Sequence, residues 1–159
     1  MDLRYFNKKE GSKMRIGIVS GYFNPIHTGH LDYIESAKKK CDQLWVIVNS
    51  DEQVKVKGST PFMDQDSRLR IVQALKAVDY AIIADDLDGT VCKTLERVYT
   101  SISFQAPFID SIAFMNGGDR KSDIPEQGMC DQLGIDMIFN VGGEKTESSS
   151  DLIKNVSNN

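Results

Sequence analysis

The sequence predicts an α/β fold: a single Rossmann-like domain built on a five-stranded parallel sheet with helices on both faces. Three observations predict it. Short apolar segments alternate with helical ones along the chain. One of them, QLWVIV over residues 43–48, is the near-continuous apolar run of a strand buried on both faces. Polar clusters containing glycine, asparagine or lysine follow the strands, which is where ligands sit on a parallel sheet.

The elements follow in order. Residues 1–13 are polar, carry Lys8, Lys9 and Lys13, and read as a flexible tail ahead of a domain spanning 14–159. Residues 15–20 form the first strand. Residues 31–40 are helical, with Leu31, Ile34 and Ala37 at three-residue spacing and Glu35 about one turn before Lys38 and Lys39. Residues 43–48 are the second strand and 49–62 a polar loop with Lys55, Lys57 and Gly58. Residues 64–77 form a helix that opens on acidic residues and aligns Leu69, Val72 and Leu75. Residues 80–84 are the third strand, 90–99 a helix with Val91, Leu95 and Val98 inward, and 101–110 an irregular stretch around Pro107. The fourth strand, 111–115, runs into Asn116-Gly117-Gly118-Asp119. A short helix over 125–133, a fifth strand over 136–140 and a last helix over 148–155 behind Gly142-Gly143 complete the pattern.

Bulk properties narrow the function. A chain of 159 residues suits one domain with a sizeable core. A formal net charge of -4 does not point to a nucleic-acid partner. Three widely spaced cysteines argue against a disulfide framework and for a reducing compartment. No apolar run approaches the roughly 20 residues of a membrane span, and the amino terminus lacks the apolar core of a signal peptide. The expectation is a cytoplasmic protein without membrane partners.

Both histidines of the chain lie in one run, Gly21-Tyr22-Phe23-Asn24-Pro25-Ile26-His27-Thr28-Gly29-His30, between the first strand and the first helix. A helix N-terminus offers backbone N–H groups and the positive end of its dipole, and two imidazoles on its first turn add donors. That is chemistry for a polyphosphate. A zinc site needs about three or four protein ligands, and Cys41, Cys92 and Cys130 stand singly, so no metal ligands are assigned. Ser148, Ser149 and Ser150 at the last helix would make a good N-cap.

These residues resemble the nucleotidyltransferase superfamily marked by a HxGH element after its first strand. Here that element is His27-Thr28-Gly29-His30, and the run from Gly21 is similar to the family's G-x-F-D-x-x-H-x-G-H, with Asn24 in place of aspartate. Further stretches match in order: Val48-Asn49-Ser50-Asp51-Glu52 with Lys55 and Lys57; Ser67-Arg68 with Ala77-Val78-Asp79; Asn116-Gly117-Gly118-Asp119; and Glu147-Ser148-Ser149-Ser150-Asp151-Leu152-Ile153. The resemblance implies transfer of a nucleoside monophosphate from an NTP to a phosphorylated small molecule, releasing pyrophosphate by direct in-line attack. It implies catalytic roles for His27, His30, Lys57 and Arg68, although Arg68 has a plain alternative in an ion pair with Asp64. It implies nucleotide contacts from Gly21, Tyr22, Phe23, Asn24, Gly29, Gly117, Gly118, Asp119 and Ser148 to Ser150, and acceptor contacts from Asn49, Asp51 and Lys55. Close approach of the nucleotide to the backbone at Tyr22 and Phe23 would be the reason for Gly21. Glu52 and Arg120 have weaker claims. Mg²⁺ would ride mainly on the triphosphate. Relatives are commonly homodimers. The Gly-Gly-Asp element favours ATP and a sugar-phosphate acceptor, as in heptose-phosphate adenylyltransferases. CTP with glycerol 3-phosphate is the runner-up, and a phosphorylated vitamin is a further acceptor within the family. A nucleotide-binding sensor without catalysis is the alternative of another class.

Overall fold

Five parallel strands form the sheet: β1 (Met14–Gly21), β2 (Gln43–Val48), β3 (Tyr80–Ile83), β4 (Ile109–Gly117) and β5 (Asp136–Val141). A computed structural model describes residues 13–118, 120 and 124–143. The tail before Lys13, the final helix expected over 148–155, Asp119 and Ser148 to Ser150 lie outside the described residues. The strand order is β3-β2-β1-β4-β5. The chain therefore winds outward from β1 in one direction and then, from β4, in the other. The switch falls between β1 and β4, where a crevice opens at the carboxyl ends of such sheets.

Among the described residues, five helices connect the strands: α1 (Thr28–Lys38), α2 (Asp51–Val56), α3 (Gln65–Gln73), α4 (Cys92–Ser103) and α5 (Gln127–Leu133). Successive strand residues feed two cores. Val19, Val46, Val48, Ala113 and Met115 pack with Ile34 and Ala37 of α1 and Val72 of α3. Ile16, Ile18, Ile47 and Phe114 pack with Leu95, Val98 and Ile102 of α4 and Cys130 of α5. This strict alternation is what a sheet covered on both faces requires. Gly17 lies where a Cβ would come within 2.8 Å of Cys41 Sγ, so the missing side chain lets the end of α1 close onto the sheet.

Three expectations need correction. The stretch 49–62 is not all loop: residues 51–56 form α2, capped by Ser50, whose hydroxyl accepts from the Gln53 N–H. The Gln53 side chain returns the bond to the Ser50 N–H. The helix expected over 64–77 is shorter: Asp64 is its N-cap and it ends at Gln73. Within 101–110, α4 continues through Ser103, a 3-10 turn covers Ala106–Phe108, and β4 begins at Ile109. No helix among the described residues is long and apolar enough to cross a membrane.

Candidate active site

The site grows out of the turn between β1 and α1. Beyond β1 the pairing continues for one more bond, from the Asn49 N–H to the Gly21 carbonyl at 2.9 Å. The chain then folds Phe23 back beneath itself. Phe23 takes a left-handed φ of 50°, uncommon for a bulky side chain, and the Asn24–Pro25 peptide is cis. The Phe23 ring is buried, with its edge against His30 at 5.0 Å between centroids. A Cβ on Gly21 would sit 2.8 Å from that ring. Glycine at 21 thus answers to the Phe23 ring, a different reason from the nucleotide approach expected from sequence.

The two histidines cap α1 with each other. His27 is the N-cap, and its Nδ1 accepts from the Gly29 N–H at 3.1 Å. His30 sits in the first turn, and its Nδ1 accepts from the His27 N–H at 3.1 Å. The rings stack 3.8 Å apart at 26°. Imidazoles here fill the two places usually held by Ser or Thr and by Glu or Gln. The consequence is chemical. A ring nitrogen that accepts from a backbone N–H carries no proton, so each neutral ring must hold its proton on Nε2. The cap fixes both tautomers, making each Nε2 a donor at the positive end of α1.

A second construction holds the turn in place. Arg68, on α3, is fully buried. Its Nη1 donates to the carbonyls of Tyr22 and Asn49, each at 2.7 Å; Nε donates to Met63 at 3.0 Å; Nη2 binds the Asp51 carboxylate at 2.8 Å. The guanidinium therefore bolts the ends of β1 and β2 to α2 and α3. The ion pair suggested with Asp64 is replaced by one with Asp51, because Asp64 caps α3 through the Ser67 N–H. Asn24 is buried as well. Its Oδ1 accepts from the Phe62 N–H at 2.5 Å and its Nδ2 donates to the Thr60 carbonyl at 3.0 Å. An aspartate, the residue usual at this place in the resembled motif, has no donor for Thr60. The asparagine thus matches the loop it holds.

The lysines divide. Lys57 caps the end of α2 and places Nζ 4.4 Å from the Tyr22 ring centroid. Lys55 pairs with Glu52 at 3.2 Å on an exposed face. Asn49, buried, gives its Nδ2 to Gln53 at 2.9 Å. On the other side of the crevice, Gly117 pairs with Val141 of β5. A Cβ on Gly118 would collide with the Gly143 carbonyl, so the loop after β5 lies directly against the end of β4. Asp79, in another stretch of the resemblance, works at the opposite end of the sheet. Its carboxylate receives Lys38 Nζ at 2.6 Å and the Leu44 N–H at 2.8 Å.

The structure thus brings Gly21 to Gly29, His30, Lys57 and Gly117–Gly118 to one rim, with Arg68, Asn49 and Asp51 in the framework beneath. The family model described as cytidylyltransferase-like matches residues 18–152. The chain belongs to this family. It is a nucleotidyltransferase with a nucleotide substrate. Among cytidylyltransferase-like relatives, the FAD synthase of Thermoplasma volcanium is 32% identical over 138 residues, covering 84% of this chain and 88% of that protein. The FAD synthase of Methanocorpusculum labreanum is 32% identical over 116 residues, covering 71% and 76%. A crystal structure described as a lipopolysaccharide core biosynthesis protein of T. volcanium superposes with a TM-score of 0.65 at 31% identity, covering 84% of this chain and 99% of that one. A bifunctional NMN adenylyltransferase/ADP ribose pyrophosphatase from Francisella tularensis, solved with AMP and a Mn ion, shares the fold at TM-score 0.56 and 16% identity, covering 91% and 42%.

Two pairings at the rim escape sequence reading. The mutual capping of the histidines hides behind residue types that rarely cap. Arg120, a weaker candidate from sequence, has its guanidinium held at 3.2 Å by Glu126, which is buried and six residues on. No periodicity or motif signals that pair.

Proposed function

We propose that the chain transfers AMP from ATP to FMN, forming FAD and pyrophosphate. The observation that carries the chemistry is the capped histidine pair, two Nε2–H donors at a helix N-terminus beside the switch point. The acceptor rests on the relatives' name, since an FAD synthase joins FMN and AMP through a new pyrophosphate bond. The sugar phosphate expected from sequence gives way to a phosphate on a polyol chain, the ribityl arm of FMN.

In this reading a phosphate oxygen of FMN attacks the α-phosphorus of ATP. One P–O bond forms, the bond to the bridging α–β oxygen breaks, and pyrophosphate leaves with the electron pair. The nucleophile is already an anion near pH 7, so no strong base is needed. The protein's task is alignment and stabilisation of charge on the α-phosphoryl group. His27 and His30 donate from Nε2 to the phosphate oxygens in transit. Lys57 balances charge beside Tyr22. Arg68, with four hydrogen bonds to protein groups, positions the Tyr22 backbone and Asp51, and Asn24 positions the loop that follows α2. Gly117, Gly118 and Asp119 face the nucleoside, and Ser148 to Ser150 hold the β- and γ-phosphates. ATP would enter as its Mg²⁺ complex, the ion carried mainly by the triphosphate.

A second reading keeps a sugar 1-phosphate as acceptor, favoured by the description of the T. volcanium structure. One experiment separates the readings. Pyrophosphate release is measured with ATP or CTP against FMN, heptose and hexose 1-phosphates and glycerol 3-phosphate. Turnover with ATP and FMN, with FAD as product, is expected. Turnover confined to a sugar phosphate or to CTP overturns the FMN assignment, and ATP binding without turnover on any acceptor favours a sensor.

A further inference from the structure

Arg120 stands just past β4, its N–H on the Gly117 carbonyl at 3.1 Å. Its Nη2 lies 3.2 Å from Glu126 Oε2. Glu126 is buried, and its other oxygen accepts from the Val91 N–H ahead of α4 at 3.3 Å. A carboxylate is expensive to bury and is kept only where partners satisfy it. Here both oxygens are used, and the result is an arginine held at the mouth of the crevice. The side chain is 33% exposed, and one bond to Glu126 leaves most of a five-donor guanidinium for an anion.

Its neighbours say which anion. β1 and β4 are adjacent strands, and Tyr22 and Arg120 follow their respective ends. Burial raises the Tyr22 phenol above its ordinary value, and the charges of Arg120, which lowers it, and Glu126, which raises it, both reach the ring. Lys57 lies over the same ring. The Tyr22 phenol thus feels two cations, Lys57, which follows β2, and Arg120, which follows β4. The histidine pair opens α1, which covers one face of the sheet, whereas Glu126 opens α5, which covers the other. In-line displacement needs the incoming and leaving oxygens on opposite sides of phosphorus. A cation across the crevice from the histidines is placed for the incoming group.

We propose that Arg120, positioned by the buried Glu126, binds the phosphate of the acceptor, with Lys57 on its other side. The proposal rests on the transferase reading above, and it holds for any phosphorylated acceptor. Glu126 is a positioning residue; Arg120 touches the substrate.

The test compares wild type, Arg120→Gln, Arg120→Lys and Glu126→Gln in steady state, varying ATP and acceptor separately. Arg120→Gln is expected to raise the acceptor KM by about tenfold or more, the effect of losing one charged hydrogen bond. The ATP KM should stay within about twofold. Arg120→Lys should recover part of the loss. Glu126→Gln should raise the acceptor KM less than Arg120→Gln, a split that mere loss of packing would not produce. An unchanged acceptor KM in Arg120→Gln, or a rise in the ATP KM instead, overturns the proposal while leaving the transferase reading intact. If wild type uses a sugar phosphate in place of FMN, the FMN assignment falls and the same comparison is made on that acceptor. No turnover by wild type on any phosphorylated acceptor overturns both.

Discussion

At the scale of single residues, the chemistry is set by which nitrogen carries a proton. His27 and His30 use their Nδ1 atoms to accept from backbone N–H groups, so in each neutral ring the proton sits on Nε2. The motif reads in sequence as two donors near a helix start. What is not legible is why both imidazoles take the same tautomer, because that depends on the φ and ψ of the turn. Gly21 teaches the same lesson. Its presence beside the site was plain, but its reason, the returning Phe23 ring, needs a left-handed residue that no pattern announces. Gly21→Ala should destabilise the protein by about 1–3 kcal/mol, as overpacking does in a filled site. The urea midpoint is the readout, and an unshifted midpoint would contradict the packing described.

At the scale of elements, the strands were readable and the joints were not. Residues 43–48 and 111–115 declare themselves by apolar composition. Helix α2 does not, because its six residues, DEQVKV, are mostly polar and its stability comes from the Ser50 cap and the buried Gln53. Gln53 Nε2 also donates to the carbonyls of Asp88 and Thr90, at 2.8 and 2.7 Å, tying α2 to the loop after β3. Arg68 was legible as a residue of interest but not as a fastening, since its partners at 22, 49, 51 and 63 are scattered along the chain. Arg68→Met should remove about 3–5 kcal/mol, because it leaves the Asp51 charge and three carbonyls without their donor. Asn24→Asp should cost about 1–3 kcal/mol by leaving the Thr60 carbonyl unsatisfied. Denaturant unfolding checks both. Arg68→Met should also lower activity with either substrate saturating, since the turn it holds carries the histidines.

For the whole molecule, the order of strands places the site. Alternating elements implied a parallel sheet, and the polar clusters after the strands implied one crevice; the order β3-β2-β1-β4-β5 puts that crevice between β1 and β4. The two cores carry a pH signature of their own. Burial, above all, pushes the Cys41 thiol from 9.0 up to about 11 and the Cys130 thiol up to about 12. The folded state therefore keeps protons that the unfolded chain releases above pH about 9, so stability falls as pH rises from there through the folded values. Unfolding midpoints across pH 8 to about 11 should decline, and less steeply in a Cys41→Ala variant. The same burial should leave both thiols slow to alkylate in the native protein, as followed by mass spectrometry.

Nδ1 of each histidine builds the helix cap, and in the proposed function Nε2 serves the phosphates. Asparagine keeps an acceptor near the Nδ1 position and has no group at Nε2. The decisive measurement is therefore kcat together with the unfolding midpoint for His27→Asn and His30→Asn, beside the alanine variants. The expected result is that kcat falls on the order of 10²-fold or more in all four, while His27→Asn holds its midpoint and His27→Ala loses about 1 kcal/mol with its cap. An asparagine variant that unfolds like wild type and keeps its kcat would contradict it.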